Sequence, residues 1–154
     1  MTRYDTDYYA WLHEQARLLE QARFAELDVP QLVEELELMA GSERGELVNR
    51  LIILLAHLLK LTVAAQHLPL DYQRAGPGWR QTCRVQRVRL ARLRRRNPSL
   101  QHFLEEDTQE AYDVALLEAA QGLGLEAVPM PTVCPWGAED VLAEDFWPEA
   151  VQQE

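Results

Sequence analysis

Lysine is almost missing from this chain: Lys60 is the only one, and 14 of the 15 basic residues are arginine. Cysteine is nearly as scarce. Cys83 and Cys134 are too few for a disulfide scaffold and contain no Cys-x-x-Cys, which fits a reducing compartment. With 7 Gly and 8 Pro in 154 residues, low-complexity and fibrous classes are excluded. Long apolar runs are also lacking. The most apolar window, Leu51 to Ala65, is interrupted by His57 and Lys60 and falls short of the roughly 20 residues of a membrane span, so no membrane partner is expected. The first residues, MTRYDTDYYAW, carry no apolar stretch after a basic start, so no export signal is read and a cytoplasmic location is expected. A glycine-rich phosphate loop, Gly-x-Ser-x-Gly and Glu-x-x-His are all absent from the sequence, and no cofactor is expected.

What is present is a globular composition, 47% hydrophobic and 26% charged, of a length that suits one domain. The net charge of −10 conceals three blocks. Residues 1–46 hold 11 acids and 4 bases, residues 47–104 hold 1 acid and 11 bases, and residues 105–154 hold 13 acids and no base. Such segregation means either mutual neutralisation in the fold or a charged partner for one block.

Helical periodicity dominates and no stretch alternates like a hairpin, so the fold class expected is all-α. The pattern gives a single-domain helical bundle of about five main helices plus a short acidic C-terminal helix. The first opens near Asp5 or Thr6 and runs to about Ala25. In the second, from Asp28-Val29-Pro30, the residues Leu32, Val33, Leu36, Met39 and Ala40 are expected to form a buried stripe, ended by Gly41-Ser42. The third, about Glu43 to Gln66, is apolar nearly all round, as a central helix is. A loop is expected over LPLDYQRAGPG, where Pro and Gly interrupt helix. An arginine helix follows, Trp79 to Arg96, then a fifth helix from Pro98 to Gln121 and the short helix near Ala138 to Ala143. The ordered domain is expected to span 4–149, with 150–154 frayed.

The order of landmarks YDTDYYAWLHEQARLL, ELDVPQLVEELE, AHLLKL, GWRQTCRVQR, NPSLQHFLEE with AYDVALLEAA, and CPWGAEDVLAEDFWPE resembles the bacterial, cyanobacteria-rich family called domain of unknown function 29. The resemblance implies one all-helical domain and supplies no catalytic residues.

Several side chains are candidates for function. Arg50 and His57 project from one side of the central helix, a spacing similar to the Arg-x(4–6)-His motif of the HEPN ribonucleases, and Glu35 could assist them in a nucleic-acid-directed enzyme. The competing reading makes His57 a satisfied core histidine. Glu34, Glu35 and His57 are the weak candidates for a metal site; helical geometry sends Glu34 and Glu35 to different sides, so none is expected. Lys60, Arg80, Arg84 and Arg87 are candidates for holding an anion or a partner. Against nucleic acid stand the acidic whole and the absence of any aromatic between Arg80 and Gln101. Arginine suits bidentate carboxylate pairing, which favours neutralisation by the acidic blocks. The function expected is therefore that of a non-catalytic protein-interaction bundle, binding a protein partner or itself, with the enzyme as the alternative.

Overall fold

The computed structural model describes residues 3–151, and every regular element in them is helical. The elements are α1 (Tyr8–Glu20), α2 (Val29–His67), α3 (Pro69–Arg96), α4 (Leu104–Leu123), α5 (Ala138–Leu142) and α6 (Pro148–Val151). Two 3-10 turns, Phe24–Glu26 and Pro98–Phe103, precede α2 and α4. Of the tail expected to fray, Ala150 and Val151 belong to α6, and residues 152–154 lie outside the described ones. The chain forms two compact units, Met1–Ser42 and Glu43–Glu154, whose boundary falls inside α2.

In the first unit, α1 starts later than expected, because Asp7 caps it by accepting from the Ala10 amide at 3.0 Å. It also ends earlier. The Arg23 amide donates to the Leu18 carbonyl at 2.9 Å and that of Ala22 to Leu19 at 3.0 Å, the paired bonds that close a helix C-terminus. This turn needs a left-handed residue, and Ala22 supplies it at φ 57°. Alanine is held there against its Cβ, a cost of about 1–2 kcal/mol that glycine escapes while losing about 0.5–1 kcal/mol of backbone entropy. Ala22→Gly is therefore expected to raise stability by about 0.5–1 kcal/mol, read as a higher urea midpoint with unchanged slope.

The two helices of this unit meet through polar groups. Tyr4 and Tyr8 each donate a hydroxyl to Glu35 at 2.6 Å, Trp11 Nε1 donates to Asp28 at 3.3 Å, and the Asp28 amide donates to Gln15 at 2.9 Å. Trp11 is buried, and Tyr9 is exposed. Glu35 and the preceding Asp28 lie about 80–160° around the helix axis from Val29, Val33, Leu36 and Ala40, while Met39 falls within about 40° of them. Docking α1 on that polar side leaves Val33 and Leu36 of the expected core stripe uncovered. Val33, Leu36 and Met39 are 47%, 63% and 63% exposed, which corrects the reading of them as buried.

The helix does not break at Gly41-Ser42, where the sequence predicts a stop. A glycine inside a helix costs only about 1 kcal/mol, less than abandoning a turn of hydrogen bonds, and here no chain reversal demands the break. The resulting 39-residue α2 contains a window of mean hydropathy 1.8, long and apolar enough by composition to cross a membrane, of which 61% is buried within the protein. In the second unit its apolar half is the core. Leu47, Leu51, Leu54, Leu55, Leu58 and Leu59 have no exposed surface and pack with Cys83 and Leu90 of α3 and Ala111, Tyr112 and Ala115 of α4.

The expected loop before the arginine helix is also helical. Pro69 stands in the first turn, where its missing N–H costs nothing, and Pro77 is carried inside α3. The latter forfeits one backbone bond, a loss of about 3 kcal/mol, and the helix persists because it buries Gly76 and packs Tyr72 and Trp79 against the core. The chain turns at Asn97-Pro98 as expected, and α4 ends at Gly124, left-handed at φ 71°. Tyr112, fully buried, donates its hydroxyl to the Pro131 carbonyl at 2.6 Å and so fastens the proline-rich stretch to α4.

Candidate functional site

Arg50, His57 and Glu35 do not form a catalytic set. Glu35 belongs to the first unit, where two tyrosine hydroxyls occupy its carboxylate and hold its pKa below the usual range. Arg50 and His57 belong to the second unit, about 10 Å apart along α2. The Arg50 guanidinium donates to Glu46 at 2.8 Å and to Gln86 at 3.2 Å. His57 donates from Nδ1 to the Ile53 carbonyl at 2.7 Å. No group of three metal-ligating side chains occurs among the described residues, and Glu34 accepts from Gln31. The thiols are equally quiet: burial raises Cys83 to about 12 and pushes Cys134 upward, so neither is a ready nucleophile.

Burial, reinforced by nearby Lys60, lowers the His57 pKa from 6.5. The folded state thus prefers the neutral ring, while the unfolded chain takes a proton near its ordinary pKa. Its contribution to stability is complete above pH 6.5 and is lost as pH falls from there towards the folded pKa. The urea midpoint is expected to drop between pH 7 and 5.5, and His57→Gln to flatten that slope.

Within the second unit four cations of the basic block, Arg50, Arg80, Arg94 and Arg96, stand against carboxylates, as does Arg44 just before the block. Asp107, with no exposed surface, receives Arg44 in a bidentate pair at 2.9 and 3.1 Å, and that guanidinium also lies 4.0 Å from the Phe103 ring centroid. Arg94 bonds Glu139 at 2.8 Å, and Arg96 stands 3.8 Å from Glu43. Lys60 lies against Gly122 with its ammonium 5.8 Å from the Trp79 ring. Among the described residues Arg74, Arg84, Arg89, Arg92 and Arg95 form no ion pair.

The densest arrangement surrounds Trp147. Arg80, Arg84 and Arg87 fall on one side of α3 at i, i+4 and i+7, and their guanidinium carbons lie 5.3, 5.4 and 4.7 Å from the centre of the indole. Arg80 also donates to the fully buried Glu149 at 2.8 Å and to the Tyr72 hydroxyl at 3.0 Å. Arg87 reaches two backbone carbonyls, Val141 at 3.0 Å and Phe146 at 2.7 Å, and thereby ties the acidic end of the chain to α3. Its Nη1 and the Oε2 of Glu149 are buried without a hydrogen-bond partner among the described residues. The structure thus brings Arg80, Arg84 and Arg87 together and places Lys60 elsewhere, beside Trp79. Trp147 and Glu149 were not among the sequence candidates. The signal that could have found them is DFWPE itself, an aromatic between carboxylates in a block with no base.

Beside this cluster a cavity of about 370 Å³ is lined by Tyr72, Gln73, Gly76, Pro77, Arg80 and Arg84. A second cleft, about 320 Å³, holds Arg50, Arg89, Arg92 and Arg96 together with Glu43 and Glu46; Arg50 and Arg96 stand against these carboxylates.

A family model described as a domain of unknown function, DUF29, matches residues 3–147. No curated protein and no solved structure matches the chain.

Proposed function

Given that the chain belongs to the DUF29 family, a description that assigns no activity, we propose from its own residues that it is a protein-binding module. The observation that carries this reading is the uncovered stripe on the first half of α2, with Val29, Val33, Leu36 and Met39 between 47% and 63% exposed. A contiguous apolar face of this kind marks an interaction surface.

Its surroundings favour one class of partner. Phe24 to Ser42 contains five carboxylates and no cation, so two copies meeting through this face would bring like charges together. An amphipathic helix with apolar residues at helical spacing and a lysine- or arginine-rich flank suits both the stripe and its acidic edge. The arginine helix does not carry the function in this reading; most of its cations that face the core hold the fold.

A synthetic 18-residue helix of leucine and lysine in amphipathic order is a suitable probe, with a scrambled version as control. Titration by calorimetry is expected to give one-to-one binding, weaker for the scrambled peptide. Leu36→Glu separates apolar seating from plain charge attraction. The substitution adds a negative charge, so attraction by charge alone tightens binding, whereas loss of the apolar seat weakens it at least tenfold. Tighter binding by that variant sinks the proposal.

A further inference from the structure

The cavity beside Trp147 has a chemistry that protein docking does not use. Its walls combine the Tyr72 ring, Gly76 and Pro77 with two guanidiniums, and its volume of about 370 Å³ lies in the range of small-molecule sites. Arg80 spends Nε and Nη2 on Glu149 and Tyr72, while its Nη1 has no hydrogen-bond partner among the described residues. Arg84 has none at all; it lies on the indole of Trp147 with its donors open. Both guanidiniums lie over the same indole, 5.3 and 5.4 Å from its centre, within cation–π range before any ligand arrives. Charge then sets the ligand class. Of the two cations that line the cavity, Arg80 is shared with Glu149 and Arg84 is unpaired, so the site favours an anion. A phosphomonoester, with three acceptor oxygens, offers a partner to Arg80 Nη1 and to the open donors of Arg84 together, where a carboxylate offers only two oxygens. An acceptor is present as well. Because Pro77 has no N–H, the carbonyl of Gln73 loses its helical partner, and both residues line the cavity.

We infer that this cavity on α3 binds the phosphate group of a small phosphomonoester between Arg80 and Arg84. The body of the ligand lies against Tyr72 and Pro77, and a hydroxyl or amino group of the ligand meets the Gln73 carbonyl. Arg84 is the discriminating residue, since it has no other partner to satisfy and contributes nothing to the ion pair at Glu149.

Calorimetric titration in a phosphate-free buffer of low ionic strength tests this, with adenosine monophosphate, inorganic phosphate and adenosine as probes. Adenosine monophosphate is expected to bind more tightly than phosphate, and adenosine not at all. Arg84→Gln is expected to weaken adenosine monophosphate at least tenfold, while Arg92→Gln, on the exposed side of the same helix, changes affinity less than twofold. Circular dichroism of both variants checks that α3 is intact. Two results overturn the inference: no binding of either phosphate compound at 10 mM, or equal weakening by Arg84→Gln and Arg92→Gln, which reports diffuse surface charge. Neither result bears on the apolar face of the first unit, whose own titration stands apart.

Discussion

Trp147→Ala is expected to destabilise the second unit by about 2–3 kcal/mol, below the range for truncating a fully buried aromatic because the indole is half-buried. Its indole is the common surface of Arg80, Arg84 and Arg87, all within 5.4 Å of its centre. Removing it takes away apolar burial and three cation–π contacts together. It also opens the environment of Arg87, whose pKa burial already holds below its ordinary value and whose Nη1 has no hydrogen-bond partner among the described residues. Water entering the gap would relieve that orphan, so the loss stays below the simple total of its parts. Urea denaturation followed by circular dichroism measures the change. Trp147→Phe keeps an aromatic face for the guanidiniums and is expected to recover about half of the loss.

Arg80→Ala is expected to cost about 3 kcal/mol through the group it leaves behind. Glu149 has no exposed surface and, among the described residues, depends on Arg80 for its one ion pair, while its second oxygen has no hydrogen-bond partner there. A buried carboxylate stripped of its counter-charge is far more costly than the net gain of having formed the pair. The comparison that isolates this effect is the double variant Arg80→Ala with Glu149→Gln. Neutralising the carboxylate removes the uncompensated charge, so the double variant is expected to be more stable than Arg80→Ala alone. If both variants lie within 0.5 kcal/mol of the parent protein, the pair has no structural role.

Those two residues also show where sequence reading stops. The three charge blocks imply that arginines of the middle meet carboxylates, and Arg80 with Glu149 and Arg94 with Glu139 are such pairs, joined by Arg44 with Asp107 from just before the block. The identities could not be read, because partners 63, 69 and 45 residues apart leave no local trace. The central helix was legible because its leucines cover nearly its whole circumference. Breaks were not. Gly41-Ser42 and Pro77 oppose helix by a few kcal/mol at most, and burial of Gly76 and the packing of Tyr72 outweigh the second. Periodicity marks Val33 and Leu36 as an apolar face, yet both are exposed. Whether a neighbour covers such a face depends on how α1 docks, and that is set by Glu35 and Asp28 on another side of the helix.

A site on α3 and a face on α2 make separate demands, and the face is central here. Hydrogen exchange read by mass spectrometry, with and without the leucine–lysine helix, tests it most directly. Binding there should slow exchange in the peptides covering Val29 to Ala40 and leave α3 and α4 unchanged. Protection confined to the acidic residues of α4 and the chain's end, with Val29 to Ala40 unaffected, would contradict the account.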